Sequence, residues 1–147
     1  MEGVDAALHT YSRAVEHQLG TGGTTSTSEL LRYGREHFSP AQFLGVYPAG
    51  QVPDTRPKHR AFYIVNTSSE AGADAHWMSV GMEHRRKDLL FDSFGRTPRA
   101  GWQPHLRHMN TTDPDVNQKP DTLRCGQLSL AWDHIFLAYG YDVAALA

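Results

Sequence analysis

Cys125-Gly126-Gln127-Leu128-Ser129-Leu130-Ala131-Trp132-Asp133-His134-Ile135-Phe136-Leu137-Ala138-Tyr139-Gly140 is the stretch on which the fold turns. Leu128, Ala131, Trp132, Ile135 and the pair Leu137-Ala138 leave few polar positions, so the run predicts a mostly buried helix over 125–139. Gly140 is a natural C-terminal cap. A buried helix of this kind needs other elements packed around it, and it opens on the only cysteine of the chain. The first turn of a helix carries unpaired N–H groups and the positive end of the helix dipole, both of which favour thiolate over thiol.

Working outward, three further residues fit a thiol nucleophile. Gln118 lies seven residues before Cys125, in the loop that leads into the helix. Asp92 stands in Phe91-Asp92-Ser93-Phe94-Gly95, and His76 is followed by Trp77. In chain order these are a general base, an orienter for that base, an oxyanion donor and a nucleophile. Singly, each has an ordinary structural reading: a small buried hydrophobe, a surface imidazole, a turn carboxylate, a loop amide. Their joint order and spacing point to acyl transfer through Cys125.

The strands between them explain how they meet. Ala61 to Asn66 is aromatic and β-branched, a central strand. Trp77 to Met82 and Asp88 to Asp92 are two more, joined by the charged turn 83–87 into a hairpin. His76 before one strand and Asp92 at the end of the next therefore become neighbours. Asp92 can hold the ring nitrogen of His76 that catalysis does not use. The Gln118 amide and the Cys125 main-chain N–H would form an oxyanion hole.

Elsewhere, Val4, Ala7, Leu8, Tyr11, Val15 and Leu19 make an apolar stripe on an N-terminal helix. Gly20 to Thr25 breaks it as a flexible link. Ser26 with Glu29 is a capping box for a helix over 27–36, ended by Ser39-Pro40. Residues 41–60 read as loop with an extended piece at 43–47, and 97–121 as loop pinned by Trp102 and Leu106. The division is an N-terminal helix and linker over 1–25, then a single domain over 26–147.

Composition is that of an ordinary globular chain: 147 residues, 39% apolar, 20% charged, net charge -2. One cysteine excludes an internal disulfide and fits a reducing compartment. The N-terminus lacks a basic start and a long apolar core, so it is not a signal peptide. No stretch approaches the ~20 apolar residues of a membrane span. The expectation is a soluble protein, intracellular or inside a virion, and not secreted. His105 and His108 have metal-like spacing but no matching Cys or carboxylate cluster, so no metal is expected.

The same residues carry a family resemblance, covering about residues 26 to 139. Phe43-Leu44-Gly45-Val46-Tyr47, Ile64-Val65-Asn66-Thr67, His76-Trp77-Met78, Phe91-Asp92-Ser93-Phe94-Gly95 and Gln118 at seven before Cys125-Gly126 resemble the adenovirus-type cysteine endopeptidases, the adenains. These share a clan with the proteases of SUMO and other ubiquitin-like modifiers, which usually place the Gln six before the Cys. The resemblance implies an α+β fold, a mixed β-sheet packed against a helix carrying the catalytic Cys at its N-terminus. It implies catalysis by His76, Asp92, Gln118 and Cys125, with Trp77 and Gly126 beside the substrate cleft.

By the same resemblance, the substrates are viral capsid and core precursors cut after small residues such as Gly during maturation, in the host nucleus or the virion. Relatives use DNA and a disulfide-held viral peptide as cofactors. Here the basic clusters are Arg56-Lys58-His59-Arg60 and His84-Arg85-Arg86-Lys87. With no spare cysteine, an activating peptide would bind non-covalently. Relatives also continue through further helices after the Cys helix, while Met1 to Thr25 has no counterpart; the helical lobe is expected to be minimal or completed by a partner. Two rivals stand beside this: a deconjugase for ubiquitin-like modifiers, and a non-catalytic binding protein on a decayed protease fold.

Overall fold

A computed structural model describes residues 2–20, 25–48, 51–53, 57–66, 76–93, 108–112 and 125–147. The elements are α1 (Glu2–Leu19), α2 (Thr27–His37), β1 (Phe43–Pro48), β2 (Ala61–Asn66), β3 (Trp77–Met82), β4 (Leu89–Phe91), β5 (Asn110–Thr111), α3 (Cys125–Tyr139) and α4 (Tyr141–Ala144). The class is α+β: five strands in the order β1-β2-β3-β4-β5 form one mixed sheet.

β2, β3 and β4 are an antiparallel meander, with Ile64 opposite Ser79 and Ser79 opposite Phe91. The edge strands β1 and β5 run parallel to their neighbours. β1 carries a bulge between Phe43 and Val46, where Gly45 sits at φ 124°, a left-handed value that glycine adopts without a Cβ clash. Ser26 caps α2 as its spacing predicts: its side chain accepts from the Glu29 N–H and the Glu29 carboxylate accepts from the Ser26 N–H.

Side chains alternate across the sheet, as strand geometry requires. Trp77, Ser79 and Gly81 of β3 point toward α3. The Ser79 hydroxyl donates to the Ser129 carbonyl, and the Ser129 hydroxyl donates to the Trp77 carbonyl, both buried at 3.2 Å. Gly81 has no side chain because Phe136 and Trp132 occupy that space; a Cβ there would stand 2.8 Å from the Phe136 ring. Phe91, Trp132 and Phe136 stack in series, with centroids 5.5 and 5.3 Å apart. The other face, Ala61, Tyr63, Val65, Met78, Val80 and Leu90, is also apolar and buried.

α3 is buried along most of its length. α1 packs against it and contributes Val4 and Leu8 to the core cluster of Leu128, Ala131, Trp132 and Ile135. Val15 of α1 joins the cluster of Leu30, Phe62, Trp77 and Cys125. α1 is thus held by packing against α3 and its neighbours. Asp133 is buried in α3, and its carboxylate oxygens meet no hydrogen-bond donor among the described residues. Burial, opposed by the nearby Ser79 hydroxyl, pushes its carboxyl well above the ordinary carboxylate range. Among the described residues no helix is long and apolar enough to cross a membrane.

Candidate active site

Three of the four residues expected to act together meet at one end of the sheet. His76 directly precedes β3, and Asp92 directly follows β4. The β3–β4 ladder aligns these two strand ends. Asp92 Oδ1 lies 2.7 Å from His76 Nε2. Asp92 is buried, while the His76 side chain keeps 12% exposure. Because Nε2 is committed to Asp92, Nδ1 is the ring nitrogen left for the hydrogen bond that His76 makes with Cys125.

Cys125 is the first residue of α3. Its Sγ accepts from the main-chain N–H of Trp77 at 3.5 Å. The Gly126 N–H, one of the free donors of the first turn, also points at it. Burial alone would raise the thiol pKa. The His76 hydrogen bond, the Trp77 N–H, the His76 charge and the Gly126 N–H together outweigh that, and the net shift is downward. For His76, burial works against the charged form, but the hydrogen bonds and charges of Asp92 and Cys125 prevail and raise its pKa. The two shifts favour one state, a thiolate beside an imidazolium.

Gln118 lies outside the described residues, as do Arg56, Phe94, Gly95, Trp102, His105 and Leu106. His108 is exposed, and among the described residues no group of three His, Cys, Asp or Glu could hold a metal ion. Trp77, expected beside a cleft, is 2% exposed, and its indole N–H donates to the Thr25 carbonyl at 2.9 Å. Gly126 lies against Thr25. Of the basic clusters, Arg60 pairs with Glu83 at 2.8 Å and Arg86 with Asp142 at 2.9 Å, and the Arg86 guanidinium also lies over the Tyr141 ring.

Two participants escaped the sequence reading. The Trp77 N–H as a thiolate donor follows only from how β3 docks on α3. The approach of Thr25 had one signal, a glycine directly after the nucleophile, since glycine permits close contact by another part of the chain. No family model matches the chain, and none of the curated proteins compared with it matches either.

Proposed function

We propose that this chain is a cysteine endopeptidase on an adenain-like form of the α+β fold. The observation that carries the proposal is the junction of His76, Asp92 and Cys125. His76 is held on one ring nitrogen by a buried carboxylate and faces the thiol with the other, and both shifts favour the ion pair. Structural ion pairs also shift pKa values, but a sole cysteine held in this way at a helix start has the arrangement that nucleophilic catalysis needs.

In the reaction, Cys125 Sγ attacks the scissile carbonyl carbon, and the carbonyl π pair moves to oxygen. Collapse of that intermediate breaks the C–N bond, and His76 gives its proton to the leaving amine. Water, deprotonated by His76, then attacks the thioester and releases the acid and the thiol. Asp92 fixes the His76 tautomer and stabilises the imidazolium. Gln118 and the Cys125 N–H are the proposed oxyanion donors. The proposed substrates are viral capsid or core precursors cut after Gly-Gly or Gly-x, with an aliphatic residue at the fourth position. A viral peptide bound without a disulfide is the proposed activator. DNA is a further proposed cofactor through the two basic clusters, in which Arg60 and Arg86 also make intramolecular ion pairs.

The test is hydrolysis of a fluorogenic Leu-x-Gly-Gly peptide, with Cys125→Ala as control and a ubiquitin-like reporter ending in Gly-Gly alongside. Peptide turnover lost in the control is the expected result. Turnover of the folded reporter alone would replace precursor cleavage by deconjugation. Turnover that survives in Cys125→Ala would refute the nucleophile.

A further inference from the structure

Trp77 touches the catalytic helix and the N-terminal region at once. Its main-chain N–H donates to Cys125 Sγ at 3.5 Å, and its indole N–H donates, inside the core, to the main-chain oxygen of Thr25 at 2.9 Å. Thr25 is buried and stands directly before Ser26, the cap of α2.

Two more contacts reach the same turn of α3. Gly126 lies so close beneath Thr25 that a Cβ on it would stand 2.9 Å from Thr25 Cβ and 3.0 Å from its Oγ1. Gln127 is buried, and its Nε2 donates to the Gly20 carbonyl at 3.1 Å, just past the end of α1. Both residues after the nucleophile, and the residue after the base, are therefore held by residues of the N-terminal region.

The contacts are tight at a cost. Thr25 Oγ1 and Gln127 Oε1 are both buried without a hydrogen-bond partner among the described residues. Each such orphan costs about 1–3 kcal/mol, a cost the fold carries beside the nucleophile.

We propose that Thr25 and Gln127 are positioning residues for Cys125. The N-terminal region clamps Trp77 and the first turn of α3, and so sets how near the Trp77 and Gly126 N–H groups stand to Sγ. Thr25 acts through its main-chain oxygen and through its packing on Gly126, and Gln127 through its bond to Gly20. This rests on the cysteine peptidase proposed above. The Trp77 N–H stands 3.5 Å from sulfur, an ordinary length for a sulfur acceptor, and a shift of the turn away from it weakens its hold on the thiolate.

The test is the rate of Cys125 alkylation by iodoacetamide as a function of pH, on the full chain. The single cysteine makes the readout specific. The wild type is expected to inflect below the ordinary thiol value of about 8.5. Gly126→Ala pushes Thr25 away, and the inflection is expected to rise by about one pH unit, roughly tenfold less thiolate at pH values below both inflections. Adding Thr25→Gly to Gly126→Ala removes the clash and keeps the main-chain acceptor, so it should restore most of the shift. Gln127→Leu keeps the volume, loses the bond to Gly20 and should shift the profile the same way by less.

Circular dichroism checks that each variant folds, and Gln127→Leu carries the test if Gly126→Ala does not. Folded variants with the wild-type inflection would overturn the proposal. So would variants alkylated faster at every pH with no change of inflection, because Thr25 would then only shield the thiol. A wild-type inflection at the ordinary thiol value is a different failure, since it removes the ion pair and the peptidase proposal with it.

Discussion

Acidification should loosen the helical side of this protein through one residue, His134. Its ring lies where three helices meet. Tyr11 of α1 stacks on it at 5.2 Å between centroids, the Phe38 ring after α2 is 4.6 Å away, and the Tyr33 hydroxyl is 2.8 Å from its Nε2. Burial first, and then the charge of His37, bring its pKa from 6.5 down to about 4. The fold therefore prefers the neutral ring, while the unfolded chain takes up a proton over this range. The stabilisation is fully present above about 6.5 and is lost as pH falls toward about 4.

The full shift would correspond to about 3.4 kcal/mol, but solvent reaches this ring, which reduces the expected effect to about 1–2 kcal/mol. The assay is urea denaturation of wild type and His134→Gln at about pH 7 and about pH 4.5. Between the two, the wild type should lose about 1–2 kcal/mol more than the variant. His76, whose shift is upward, contributes stability below its unfolded value and loses it as pH rises; it is present in both proteins and cancels. Equal losses in the two proteins would refute the reasoning.

Cys125→Ala should abolish peptide turnover with the thermal midpoint nearly unchanged, and His76→Ala should nearly do so. Asp92→Ala should cost less than either, because the orienter's loss is partly tolerated; steady-state kinetics on folded variants reads all three. Gln118→Ala should lower kcat by about 10²–10³ with little change in KM, and a pure KM effect would contradict an oxyanion donor. Gly81→Ala should cost about 1–3 kcal/mol in chemical denaturation, because the added methyl meets the Phe136 and Trp132 rings, which are stacked and have little room to move.

The elements legible in the sequence are those with strong local signals. Ala61 to Asn66, Trp77 to Met82 and Cys125 to Tyr139 fold over the residues their patterns indicate, and the capping box starts α2 where it should. β4 is shorter than its pattern, Leu89–Phe91, because Asp88 and Asp92 flank the apolar core of that strand. The parallel pairing of β1 with β2 is non-local, and residues 41–60 carry no local sign of it. β5 is two polar residues, and α4 is a single turn beginning just where Gly140 ends α3.

The meeting of His76 and Asp92 was legible because a hairpin constrains its ends: a sequence separation of 16 fits one strand, a turn and a strand back. What stayed hidden depends on tertiary approach. Asp133 reads as one polar position in an apolar run, yet it is buried, and burial raises its carboxyl pKa. Thr25 closes the Gly- and Thr-rich stretch that reads as a flexible link, yet it is buried against Trp77 and Gly126. Neither can be inferred from spacing, since each depends on how α1 and the start of α2 settle on α3.

The thiolate–imidazolium pair is the central claim, and the most direct measurement is an ultraviolet absorbance titration of the thiolate in wild type and His76→Ala. With one cysteine in the chain, the thiolate signal belongs to Cys125 once tyrosinate absorbance, read separately from a Cys125→Ala control, is subtracted. The wild type should form thiolate well below the ordinary thiol value of about 8.5, and His76→Ala should return the titration to that value or above it, because burial then acts without its main opponent. Wild type and variant titrating together near the ordinary thiol value would show that His76 does not charge the thiol, and would contradict the account.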